Sequence, residues 1–127
     1  MKNLKPISFK NKNLLSASIH AYDGIKVLAQ ESAARREAVV IGISVIALAL
    51  YPCSSSLFLL ITSLLLLATE ALNTAIEVVC DLYTTEYNLK IKHAKDLGAA
   101  AVFIICLAWA AALIYFVGID YLPRLSS

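Results

Sequence analysis

The chain has 127 residues, of which 60% are hydrophobic and 16% charged, with a formal net charge of +2 and a mean hydropathy of +0.75. That leaves room for one domain and supplies far more apolar surface than a soluble core of this length requires. The small positive balance, with no basic stripe interleaved with aromatics, excludes a nucleic-acid binder, and the composition is that of an integral membrane protein.

Residues 1–15 are basic and include Pro6, so order is not expected before about Ser8. From Leu14 to Ala29 apolar positions recur at mixed three- and four-residue intervals, with Ser16, His20, Asp23 and Lys26 between them. This predicts an amphipathic helix over about 8–29, lying on the cytoplasmic membrane surface and weakened locally by Gly24. No cleavable signal peptide is expected, because a long polar, basic stretch precedes the first apolar run and no small-residue cleavage site follows it.

Glu31 to Glu37 (ESAARRE) is a charged collar opening the first predicted span, 31–51. The uncharged run from Ala38 to Tyr51 is shorter than the roughly 20 residues a span needs, so the helix must begin near Glu31 or Ser32. Pro52 and Ser54–Ser56 form an uncharged turn. The second span is expected over 55–81, a polar connection over 82–93 and the third span over 94–117.

Lys2, Lys5, Lys10, Lys12, Lys26, Arg35 and Arg36 precede Ala38; Lys90, Lys92 and Lys95 lie between Leu82 and Asp96; the 51–56 turn has no basic residue. The positive-inside rule therefore puts the N-terminus and the 82–96 region in the cytoplasm. Three spans cannot form two inverted halves, which argues against a transporter of that plan. Cys53, Cys80 and Cys106 show no metal-ligand spacing and read as free thiols packed as small hydrophobes.

The chemistry is concentrated in Thr69 to Glu86. At about 100° per residue, Glu70, Asn73, Glu77 and Asp81 project within an arc of roughly 80° on an otherwise apolar helix. Glu31 can converge on this stripe from the first span, and Lys95 and Asp96 add a cation and an acid from the third. Acids on membrane helices need a cation, a proton or one another. Metal–nucleotide chemistry, proton or cation coupling and structural pairing with Lys or Arg all fit the spacing. No Walker-type loop and no GxGxxG is present.

The segment EALNTAIEVVCD from Glu70 to Asp81, then Glu86-Tyr87, then AKDLGAAAV from Ala94 to Val102, with the ESAARRE collar, closely resembles the prokaryotic diacylglycerol kinase family. The resemblance runs from about Gly24 to the end of the third span. It implies an all-α integral membrane protein of the bacterial inner membrane, with a surface helix and three spans, assembled as a homotrimer whose active sites lie between subunits at the cytoplasmic face. The implied reaction is transfer of phosphate from ATP, with Mg²⁺, to a membrane lipid.

Carried over by position, the resemblance makes Glu70 the general base, Glu31 and Glu77 the magnesium ligands, and Glu86, Tyr87, Asn88, Lys95 and Asp96 nucleotide contacts. Asn73 and Asp81 become orienting groups around the metal and Lys95. Glu70 with Ala33, Ala34, Arg35 and Arg36 falls at lipid-substrate positions, although a snorkelling collar explains the arginines and Glu37 equally well. Lys95, at the expected helix N-terminus, would be placed to meet phosphate. Ala34 stands where the family commonly has an aromatic, and Asn88 where it frequently has histidine. Within the family some members act on undecaprenol, whereas GAAAV after Asp96 is closer to the diacylglycerol branch. A non-enzymatic or proton-coupled membrane protein on the same fold is the reading from a different class.

Overall fold

The computed structural model describes residues 14–84 and 86–125, and among them every regular element is helical. Helix α1 spans Leu14–Leu28, α2 Ser32–Leu50, α3 Ser54–Tyr83 and α4 Leu89–Tyr115; a π-helical turn, Phe116–Tyr121, leads into the short α5, Leu122–Leu125. The expected start of the surface helix near residue 8 lies outside the described residues. Gly24 does not break α1, and Tyr22 lies under the Lys26 ammonium, 4.3 Å from ring centroid to nitrogen.

Among the described residues two helical stretches, Ser54–Tyr83 and Leu89–Tyr121, are long and apolar enough to cross a membrane. Helix α2 is not one of them, because Arg35, Arg36 and Glu37 occupy its opening turns. The faces of α3 and α4 that do not meet a neighbour carry large exposed apolar groups, among them Leu72, Val79, Phe103, Ile104 and Ile114.

Helix α3 is the central element, packing against α2 on one side and α4 on the other. Its contact faces use small and hydroxylated residues. Ser56, Ser63 and Ser44 of α2 are fully buried, and Thr62 nearly so. Each hydroxyl in the helical interior is satisfied locally: Ser44 Oγ donates to the Val40 carbonyl (2.9 Å), Thr62 Oγ1 to Phe58 (3.0 Å) and Ser63 Oγ to Leu60 (2.8 Å). Such back-bonding removes the cost of an unpaired hydroxyl, and the small side chains let the helix backbones approach closely.

The α2–α3 turn is built by Pro52 and Ser56. Residue 51 precedes proline and cannot continue the helix; Tyr51 leaves it with φ −134° and ψ 76°. The Cys53 amide donates to Ser56 Oγ (3.1 Å), and the same hydroxyl donates to the Tyr51 carbonyl (2.6 Å), so one buried serine closes the turn. Ser55 donates to the Asp120 carboxylate, and Tyr51, Phe116 and Tyr121 meet edge-on or tilted, tying the end of α4 to this turn. Leu59, Ala47, Ala112 and Phe116 form the small apolar core beneath, flanked by Trp109.

Helix α3 continues to Tyr83 and α4 begins at Leu89, so much of the polar connection expected over 82–93 is helical and the helices are joined through residues 84–88. Asn88 explains the earlier start: its Oδ1 accepts from the amides of Lys90 (2.9 Å) and Ile91 (3.4 Å), capping two of the donors a helix N-terminus leaves open. The chain also stays helical past Val117 to Leu125.

Candidate active site

At about 1.5 Å per residue the α3 helix is roughly 45 Å long, against a hydrocarbon thickness of about 30 Å. Its polar C-terminal part therefore runs beyond the apolar stretch, carrying Glu70, Asn73, Glu77 and Asp81 in step along one side. Glu70 is partly buried, Asn73 is 8% exposed, and Glu77 and Asp81 are exposed.

Asn73 Nδ2 donates to Glu77 Oε1 at 3.0 Å, holding one carboxylate oxygen and leaving the other outward. One turn on, Asp81 Oδ1 accepts from Lys95 Nζ at 2.5 Å, joining α3 to α4. A second pair, Lys92 with Asp96 at 2.5 Å, lies along α4 itself. Lys95 is thus not at a helix N-terminus, as expected from the sequence, but well inside α4. The Asn88 cap starts that helix at Leu89, and Asp81, not a terminal amide cradle, sets the position of the ammonium.

Glu31 sits at the N-cap of α2 with extended backbone, and its carboxylate makes no capping hydrogen bond. The charges of Glu77, Arg36 and Glu31 all lie within electrostatic reach of Glu70, and Glu77 also reaches Lys95. The chain therefore brings Glu31, Glu70 and Glu77 to one end of the helices, continuous with the Asp81–Lys95 pair. A cleft of about 540 Å³ opens beside the Asp81–Lys95 pair, and every residue assigned above to nucleotide contact or to orienting Lys95 lines it: Asp81, Glu86, Tyr87, Asn88, Lys95 and Asp96. Tyr87 projects openly, 82% exposed.

No three His, Cys, Asp or Glu side chains among the described residues are grouped so as to hold a metal ion by themselves. Two hard oxygen donors, Glu31 and Glu77, suit magnesium only where phosphate oxygens and water complete the shell, the usual arrangement in nucleotide-dependent phosphoryl transfer.

The collar divides. Arg35 and Arg36 are exposed, Ala33 is partly covered and Ala34 is buried at 7% exposure, so Ala34 packs inward and not toward lipid. Glu37, grouped with the snorkelling arginines in the sequence reading, is also 7% exposed, and its Oε2 has no hydrogen-bond partner among the described residues. Glu70 is the charge that acts on it most strongly. The signal was present in the spacing: Ala34, Glu37, Ser44 and Ala47 share the small-residue face by which α2 packs. Gly98 was missed as well; it lies buried against Asn73. An isolated glycine inside a helical pattern is the signal for such a close approach.

The profile of prokaryotic diacylglycerol kinase matches residues 19–117, taking in the C-terminal two thirds of α1, the collar, the acidic stripe and the adjacent Lys95 and Asp96. The chain belongs to the prokaryotic diacylglycerol kinase family. It is 31% identical over 102 residues to a diacylglycerol kinase of Helicobacter pylori, covering 78% of this chain and 80% of the relative. It is 32% identical over 112 residues to one of a Sinorhizobium species, covering 84% and 82%. To one of Pseudomonas aeruginosa it is 30% identical over 122 residues, covering 87% of this chain and 99% of the relative. As a member of the prokaryotic diacylglycerol kinase family, the chain is a membrane protein and a lipid kinase.

Proposed function

We propose that the protein transfers the γ-phosphate of ATP to the hydroxyl of diacylglycerol, giving phosphatidic acid and ADP at the cytoplasmic face of the bacterial inner membrane. The observation that carries this reading is the gathering of Glu31, Glu70 and Glu77 at the end of the bundle, linked through the reach of Glu77 to Lys95 with a cleft lined by Asp81, Lys95, Asp96 and Tyr87.

Glu70 lies seven residues before Glu77, about 10 Å deeper along α3. At that depth it meets a lipid hydroxyl held at the bilayer boundary while the nucleotide stays in the cytoplasmic cleft. Glu70 takes the hydroxyl proton as the lipid oxygen bonds to the γ-phosphorus, and the bond from that phosphorus to the bridging oxygen breaks to release ADP. Glu31 and Glu77 would hold magnesium, which when bound supplies charge neutralisation for the phosphates. Asn73 orients Glu77, and Asp81 orients Lys95 toward the phosphates. Arg36, in electrostatic reach of Glu70, offers a cation to the lipid headgroup region together with Arg35.

This reading includes three spans, with α2 as the first, a cytoplasmic N-terminus by the positive-inside rule, and α1 on the membrane surface. It also includes a homotrimer with shared sites, supported by the exposure of Glu77 and of the apolar faces of α3 and α4 in the single chain.

The test is an assay of purified protein in mixed micelles with labelled ATP and magnesium, offering either diacylglycerol or undecaprenol. Label appearing in phosphatidic acid is the expected result. Transfer to undecaprenol alone would make the protein an undecaprenol kinase, and transfer to neither would favour the non-enzymatic or proton-coupled class.

A further inference from the structure

We infer that Gly98 is a positioning residue for Glu77, acting through the side chain of Asn73. Three observations converge on it. A Cβ built on Gly98 would overlap Asn73 Oδ1 and stand 3.4 Å from Asn73 Cγ and 3.6 Å from Ile76 Cδ1. Asn73 is 8% exposed, and its Oδ1, pressed against the Gly98 backbone, accepts no hydrogen bond among the described residues. The other end of the same carboxamide donates to Glu77 Oε1 at 3.0 Å.

The carboxamide is therefore clamped from behind. Turned over, it would set its oxygen against the Glu77 carboxylate, so the Glu77 contact fixes which end of the carboxamide faces Gly98. Rotated away, it would release Glu77, whose carboxylate is otherwise an exposed group on a flexible stem. Glycine in the middle of a helix is costlier than alanine, and Gly98 lies well inside α4, so a packing demand has to justify it. That demand is met at Asn73, because the missing methyl is the space the carboxamide fills.

This deepens the proposed function and rests on its reading of Glu77 as a metal ligand. Residues that orient a metal ligand typically change metal affinity by roughly 10- to 100-fold when altered. The experiment measures Mn²⁺ binding by electron paramagnetic resonance, with the full chain in nanodiscs and a non-hydrolysable ATP analogue present. Gly98→Ala is expected to weaken Mn²⁺ binding by about tenfold or more. Asn73→Ala should lose a similar factor, and the double variant should bind no worse than Asn73→Ala alone, because the added methyl then has nothing to displace. Gly42→Ala, where a new Cβ meets nothing within 4 Å, should bind like wild type.

Unchanged binding in Gly98→Ala overturns the inference, as does a Gly98→Ala penalty that persists without the Asn73 side chain or a matching loss in Gly42→Ala. If Gly98→Ala fails to fold, a folded double variant that binds like Asn73→Ala supports the contact, and an unfolded double variant overturns it. Wild-type protein that binds no Mn²⁺ would overturn the metal reading of Glu77 and this inference with it; wild-type binding with an indifferent Gly98→Ala would overturn the inference alone.

Discussion

Glu70 and Glu77 are the same residue type two helical turns apart, and their surroundings differ. Glu77 is exposed and held by one amide donor, whereas Glu70 is partly buried, with Glu31, Glu77 and Arg36 within electrostatic reach. If Glu70 is the base, Glu70→Gln keeps the shape and removes proton acceptance. Turnover should fall by roughly 10²- to 10⁴-fold, with nucleotide binding and thermal stability near wild type. Retained turnover in the micelle assay would remove the assignment. Lys95→Ala should behave differently. Its partner Asp81 is largely solvated, so the fold should hardly notice, while the KM for ATP should rise as the cleft loses one of its cations. An unchanged KM would show that Lys95 serves only as the partner of Asp81. The acidic stripe was legible in the sequence because helical spacing alone aligns it. The Glu37 side chain was not, because a carboxylate in a run of charges reads as solvated until a neighbouring helix covers it.

At the scale of elements, the helix ends decide where chemistry sits. Asn88 caps α4 and so shortens the connection to residues 84–88, which brings Asp81 and Lys95 opposite each other across that link. Asn88→Ala should cost about 1 kcal/mol of stability and loosen the cleft, raising the KM for ATP, whereas Asn88→Asp should restore both. Thermal denaturation in detergent and steady-state kinetics together check this; loss in both variants would point instead to direct nucleotide contact by the carboxamide. The opposite end of the molecule offers a contrast. Ser55, Asp120, Tyr51 and Tyr121 join the α2–α3 turn to the end of α4, far along the helices from the acidic stripe. Asp120→Ala should lower the melting temperature and leave kcat and KM unchanged. A kinetic effect would mean that the two ends are coupled.

Across the whole molecule, the exposed apolar faces of α3 and α4 have two claimants, lipid and other copies of the chain. The trimer proposed above predicts that Glu70→Gln, which loses turnover, and Lys95→Ala, which raises the KM, recover activity at low ATP when unfolded together and refolded as a mixture, provided one site draws these residues from different subunits. No recovery in mixed assemblies would place each complete site within one chain, where Glu77 and Lys95 are already in electrostatic reach.

Membrane character, the helical class and the alignment of Glu70, Asn73, Glu77 and Asp81 were determined by sequence alone, because hydropathy and a 3.6-residue repeat are local properties that survive any packing. Which neighbour each group meets was decided only by the tertiary structure. The burial of Glu37, the place of Lys95 beside Asp81 inside a helix and the clamp of Gly98 on Asn73 all depend on how α2 and α4 approach α3. That approach is set by small residues whose contribution is the space they leave, and the size of that space is a property of two surfaces together.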